Sequence, residues 1–92
     1  MYSFSAFVRR KDGTVQPFHV EISAPKDSGK GDSVCSVSCA FLRAKPFSIF
    51  GVDHSQAAEL SRRFVEANLE HLSARLLDVD GRPVELPPVS AI

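Results

Sequence analysis

Hydrophobic positions along the chain follow two periods. In residues 2–10 and 15–24 they recur at every second position. Tyr2, Phe4, Ala6 and Val8 fall on one side of the first run, with Ser3, Ser5, Phe7 and Arg9 on the other. In the second run Phe18, Val20 and Ile22 alternate with His19, Glu21 and Ser23. A period of two sends alternate side chains to opposite faces, so both runs are predicted as half-buried strands. Asp12-Gly13 between them marks a hairpin. A two-residue loop would set Ser5 against Val20 and mix polar with apolar residues on one face. A three-residue loop, Lys11-Asp12-Gly13 with Gly13 left-handed, pairs Phe4 with Val20 and Ala6 with Phe18. This type I turn with a G1 bulge keeps one face apolar and is the register expected.

Residues 33–43 form a third run, with Cys35, Val37, Cys39 and Phe41 on one side and Val34, Ser36, Ser38, Ala40 and Leu42 on the other. Residues 46–50 suit a short fourth strand, with Pro46 at its start or on an edge. Residues 25–32, PKDSGKGD, are polar and rich in breakers and are expected to be a mobile loop.

From residue 51 to 73 the period lengthens to that of a helix. Asp53 is a good N-cap, and Gln56 three positions on completes a capping box by reaching back to the Asp53 N–H. Ala57, Leu60, Phe64 and Ala67 make one edge of a broad apolar arc, and Ala58, Val65, Leu69 and Leu72 the other. Ser61 and Asn68 lie between the edges, and His71 is expected half-buried beside Leu60. Glu59–Arg63 and Arg62–Glu66 are i,i+4 pairs on the opposite, wet side. An arc this wide calls for a sheet as its partner.

After the helix, residues 75–79 and 83–86 flank Asp80-Gly81 and predict a second small hairpin. Residues 87–92 read as a loose tail. The expectation is one α+β domain over residues 1–92, a mainly antiparallel sheet of about four to six strands with one long amphipathic helix packed on one face. The expected core is Phe4, Ala6, Val8, Phe18, Val20, Ile22, Cys35, Val37, Cys39, Phe41, Leu60, Phe64, Val65, Leu69 and Leu72.

Composition narrows the partners. Lys+Arg and Asp+Glu are both 11, so the formal net charge is zero. A nucleic-acid binder shows a basic footprint, and the Arg9-Arg10-Lys11 and Arg62-Arg63 clusters are offset by Asp12, Glu59 and Glu66. No run approaches a membrane span, and the first residues lack the pattern of a secretory signal. No nucleic acid or membrane partner is expected, and a cytoplasmic setting is.

The stretch Ile49-Phe50-Gly51-Val52-Asp53, followed by Gln56-Ala57 and Leu60, resembles small bacterial domains of unknown function. In these a few strands lead through I-x-G-x-D-x-x-Q-A into one amphipathic helix. The arrangement is also similar to that of immunity proteins that neutralise bacterial toxins. The resemblance covers chiefly residues 48–69 and implies the fold and a bacterial origin. Each matched residue has a structural job, as turn, cap or buried face, and none is catalytic.

Candidate chemistry is sparse. Cys35 and Cys39 on one strand would stand about 13 Å apart, at roughly 3.3 Å per residue, too far for one zinc or a disulfide. They are expected to be buried and reduced. His19, His54 and His71 lack metal-binding spacing, and Ser28-Gly29-Lys30-Gly31 departs from the phosphate-loop pattern. No cofactor is expected.

The sheet face away from the helix is more informative. It presents Ser5, Phe7, His19, Val34, Ser36, Ser38 and Leu42, a small-residue surface with few charges. Such a patch marks a contact site unless the last residues fold over it. The function expected is a non-enzymatic protein-binding or inhibitor module, immunity-like in kind, with another protein or a second copy of itself as partner. The alternative is a small enzyme or ligand-binding protein using His19 or a cysteine.

Overall fold

The computed structural model describes residues 2–89. Six strands and one helix follow the order β1 (Tyr2–Arg9), β2 (Val15–Ile22), β3 (Lys26–Asp27), β4 (Ser33–Ser38), β5 (Phe47–Gly51), α1 (His54–His71) and β6 (Arg75–Leu77). All pairings are antiparallel. Across the sheet the order is β5, β4, then β2 with β3 in line, then β1 and β6. The fold is the expected α+β arrangement, with α1 packed on one face.

The β1–β2 hairpin adopts the expected register, Phe4 opposite Val20 and Ala6 opposite Phe18. Gly13 has φ 89°, its N–H donates to Arg10 O, and Arg10 N donates to Thr14 O. That last bond fixes the parity of the ladder. Even-numbered residues of β2 bond to β1, and odd-numbered ones turn the other way. Pro17 is odd, and β4 pairs only with Glu21 and Ile22, so its missing N–H falls on an open edge.

Within residues 25–32 the structure shows a short pairing. Lys26 and Asp27 pair with Val34 and Ser33, while Ser23 N donates to Ser36 O. Ala24 and Pro25 therefore stand together opposite Cys35. This is a β-bulge, a place that tolerates a proline inside a sheet. The third strand is shorter than expected. It stops at Ser38, and the Leu42 and Arg43 N–H groups both turn back to Cys39 O.

Helix α1 is capped as Asp53 and Gln56 imply, with one difference. Gln56 N donates to Asp53 Oδ1 at 2.7 Å, but the Gln56 side chain accepts from Val52 N, one residue earlier than expected. The buried face is Ala57, Ala58, Ser61, Val65 and Leu69. These small residues let the helix lie close to the sheet. A Cβ on Gly51 would sit 2.5 Å from Ala57 N. The expected arc was too wide: Leu60 and Phe64 flank the contact half-buried, and Leu72 and His71 are exposed. Phe64 instead packs on Phe47 at 5.0 Å between centroids, with the Arg43 guanidinium over both rings.

The core joins Val8, Phe18, Val20, Ile22, Cys35, Val37, Cys39, Val65 and Leu69 as expected, while Phe4, Ala6 and Phe41 are only half-buried. It also takes in Tyr2, Ala74, Leu76, Leu86 and Val89. Residues 87–89 lie against the domain: the Tyr2 hydroxyl donates to Pro87 O at 2.8 Å, and Val89 is buried. The expected tail over residues 90–92 lies outside the described residues. Among the described residues no helix is long and apolar enough to cross a membrane.

Candidate functional site

The strands place most of the expected contact residues on the face away from α1. Ser5, Phe7, His19, Ser36 and Ser38 are exposed there, and Val34 is half-buried opposite Phe50. Leu42 does not belong with them. The chain turns after Ser38, and Leu42 packs against the core. Leu86 and Val89 go into the helix-side core and leave Ser5, Ser36 and Ser38 uncovered.

A cleft of about 710 Å³ lies on the β1–β2 pair. Residues 4–7 of β1 and 16–19 of β2 form it, with Ala40 and Phe41 from the turn after β4 and Asp78, Val79 and Val84 from the hairpin after β6. Its lining is mostly apolar. Ser5, Phe7 and His19 are the expected residues it brings together; Val34, Ser36 and Ser38 lie outside it.

Ser5 and His19 are direct cross-strand neighbours. By the parity above they form a non-hydrogen-bonded pair, in which facing side chains come closest. Ser5 Oγ lies 2.6 Å from His19 Nδ1, and His19 Nε2 lies 3.0 Å from Glu21 Oε2. Glu21 shares the face of His19 because it stands two residues on. In the neutral ring with its proton on Nε2, the Ser5 hydroxyl donates to Nδ1 and Nε2–H donates to Glu21. A hydroxyl, an imidazole and a carboxylate are thus joined in series. The imidazole and carboxylate side chains are about half exposed, so water competes for each bond.

The cysteines lie on the opposite face. Both are free and buried. Burial pushes each thiol above its usual range, opposed by Ser61 at Cys35 and by the Leu42 and Phe41 N–H groups at Cys39. Raised thiols out of solvent are poor nucleophiles. His54 meets only Asp27, at 3.4 Å. Among the described residues no three His, Cys, Asp or Glu side chains gather as a metal site.

Sequence reasoning placed Glu21 on this face without giving it a role, although its i+2 spacing from His19 was readable. Pro17, Ala40, Phe41, Val79 and Val84 were missed as cleft residues. Which turns flank the hairpin depends on strand order, which no local pattern carries.

No protein-family profile, curated protein or solved structure matches the chain.

Proposed function

We propose that this protein is a non-enzymatic binding or inhibitor module that takes an apolar element of a partner protein into the β1–β2 cleft. The observation that carries this reading is the cleft itself, a largely apolar concavity with Phe7 exposed at it and flanked by two turns. Concave apolar surface with a few polar groups is the usual form of a binding site. Ser5 and His19 supply polar partners, and the small serines of the surrounding face allow close approach. The bacterial and immunity-like setting implied by the resemblance, and the cytoplasmic setting expected from the sequence, belong to this proposal. The test is affinity capture from a bacterial lysate with wild type and with Phe7→Glu, checking by circular dichroism that the variant folds. A stoichiometric protein held by wild type and lost with Phe7→Glu is the expected result. Equal retention by both, or a small ligand in place of a protein, overturns the proposal.

The Ser5–His19–Glu21 series favours a second reading, a small acyl hydrolase. Ser5 Oγ would attack an ester carbonyl carbon while its proton passes to His19 Nδ1, with Glu21 stabilising the imidazolium; the ester C–O bond would then break, the alcohol leaving with that proton, and water would hydrolyse the acyl–Ser5 ester to free the acid. Incubation with a fluorophosphonate probe tests it. The reading requires covalent labelling that is lost in both Ser5→Ala and His19→Ala, and it fails if wild type stays unlabelled.

A further inference from the structure

The edge of the sheet opposite β6 is bare. Ser36 N donates to Ser23 Oγ at 2.8 Å and Ser36 O accepts from Ser23 N at 2.9 Å, so Ser36 turns both its backbone groups toward the β2–β3 side. Its neighbours Cys35 and Val37 therefore bond across to Ile49 and Phe47. By the same alternation, Ser48 and Phe50 point their N–H and C=O groups away from the sheet. No other described segment pairs with them. Edge strands in soluble proteins are commonly guarded by charge, a proline or a bulge within the strand. Phe47–Gly51 has none of these, and Phe50 is 54% exposed beside Val52 at 72%.

We infer that β5 is a self-pairing edge, and that two copies of this chain join antiparallel through it to make one continuous sheet. The choice of a second copy over an unrelated strand rests on self-complementarity. A twofold axis at Ile49 sets Ser48 opposite the partner's Phe50 and Phe50 opposite the partner's Ser48. All four of these residues have outward backbone groups, which closes about four hydrogen bonds. The same register sets Phe47 against the partner's Gly51, large against small. Exposed Phe50 lies across the partner's Ser48 on the outer face. Zero formal net charge adds no overall repulsion between copies. This edge is separate from the β1–β2 cleft, so a dimer would leave the proposed partner site open.

Sedimentation equilibrium tests the inference. Wild type at about 100 μM should be dimeric. Ser48→Pro removes an outward N–H without touching the β4–β5 ladder and should give a folded monomer. Phe7→Glu, in the cleft, should leave the dimer intact, which separates failure here from failure of the cleft reading. Register is read by cross-linking. In a Cys35→Ala background, which removes the thiol opposite Ile49, Ile49→Cys should close an intermolecular disulfide under mild oxidation, and Phe47→Cys should not. A wild-type monomer at that concentration overturns the inference. So does a dimer that survives Ser48→Pro, one lost with Phe7→Glu, or cross-linking at residue 47 in place of 49.

Discussion

On the helix side of the sheet Val8, Val20, Ile22, Cys35 and Val37 are fully buried. One residue along in each strand, Phe7, His19, Ser36 and Ser38 are exposed. The backbone, strand order and register are common to both faces, so the difference lies only in what covers them. Helix α1, the turn after β4 and the C-terminal segment all go to one side. Burial then fixes size and polarity position by position on that side. The outer side answers to little beyond strand propensity, which leaves room for the Ser5–His19–Glu21 series. In this sheet the face that sets stability and the face open to partners are one residue out of phase.

The sharpest way to break this contrast is to truncate an inward aromatic. Phe18 is buried and meets Phe41 edge-on at 6.1 Å. Phe18→Ala should cost about 3–5 kcal/mol, read from urea unfolding. A loss below about 1 kcal/mol would mean the helix-side core is not what holds the fold. Next comes the close approach of α1. Gly51→Ala should cost about 1–3 kcal/mol, because the new methyl meets Ala57 backbone atoms that have little room to move. A neutral result would show that the helix can ride further from the sheet.

A smaller effect concerns the solvent side of α1. Glu59 accepts from Arg62 Nη2 at 2.9 Å and Arg63 Nε at 3.2 Å. The Arg62 hydrogen bond, ahead of the other causes, holds the Glu59 carboxyl below its usual range. A carboxyl lowered by folding adds stability above its unfolded value, about 4.3, and that stability is lost as pH falls through the lower folded value. Glu59→Gln should therefore destabilise at pH 7, by about 1 kcal/mol or less for an ion pair at the helix surface. The gap from wild type should close as pH falls through the lowered folded value. A gap that persists in acid would assign the loss to packing instead of charge. Smallest of all, Ser38→Arg should change stability by no more than about 0.5 kcal/mol. A larger loss would show the outer face to be covered after all.

What could be read from the chain was local. Asp12-Gly13 and the two alternating runs gave the first hairpin to the residue, because loop chemistry and the apolar face demanded the same register. Asp53 and Gln56 gave the start of the helix. Its buried face was overestimated for an identifiable reason. Counting Leu60, Phe64 and Leu72 as inward assumed that large apolar residues make the contact, whereas Ala57, Ala58 and Ser61 make it, since small side chains let a helix sit close. The contacts of the C-terminal segment could not be read from its local pattern. Pro87 lacks an N–H but keeps a carbonyl, which the Tyr2 hydroxyl uses, and Leu86 and Val89 supply the burial. Likewise, the cleft is assembled by turns that meet only once strand order is known. The Ser5–His19 contact needed only the hairpin register.

The pairing of β6 with β1 has a kinetic consequence. Phe7 and Leu77 are direct partners, so this contact closes a loop of nearly the whole chain, while β1 and β2 meet across a three-residue turn. Local hairpins form in microseconds, but distant pairings must first overcome loop-closure entropy. During synthesis the Phe7–Arg9 edge has no strand beside it until Arg75–Leu77 have been made. Of the six strands, the last to be translated is therefore the one that seals the first. A ribosome stalled between α1 and β6 should hold a nascent chain with that edge open, a natural target for a chaperone that binds extended backbone.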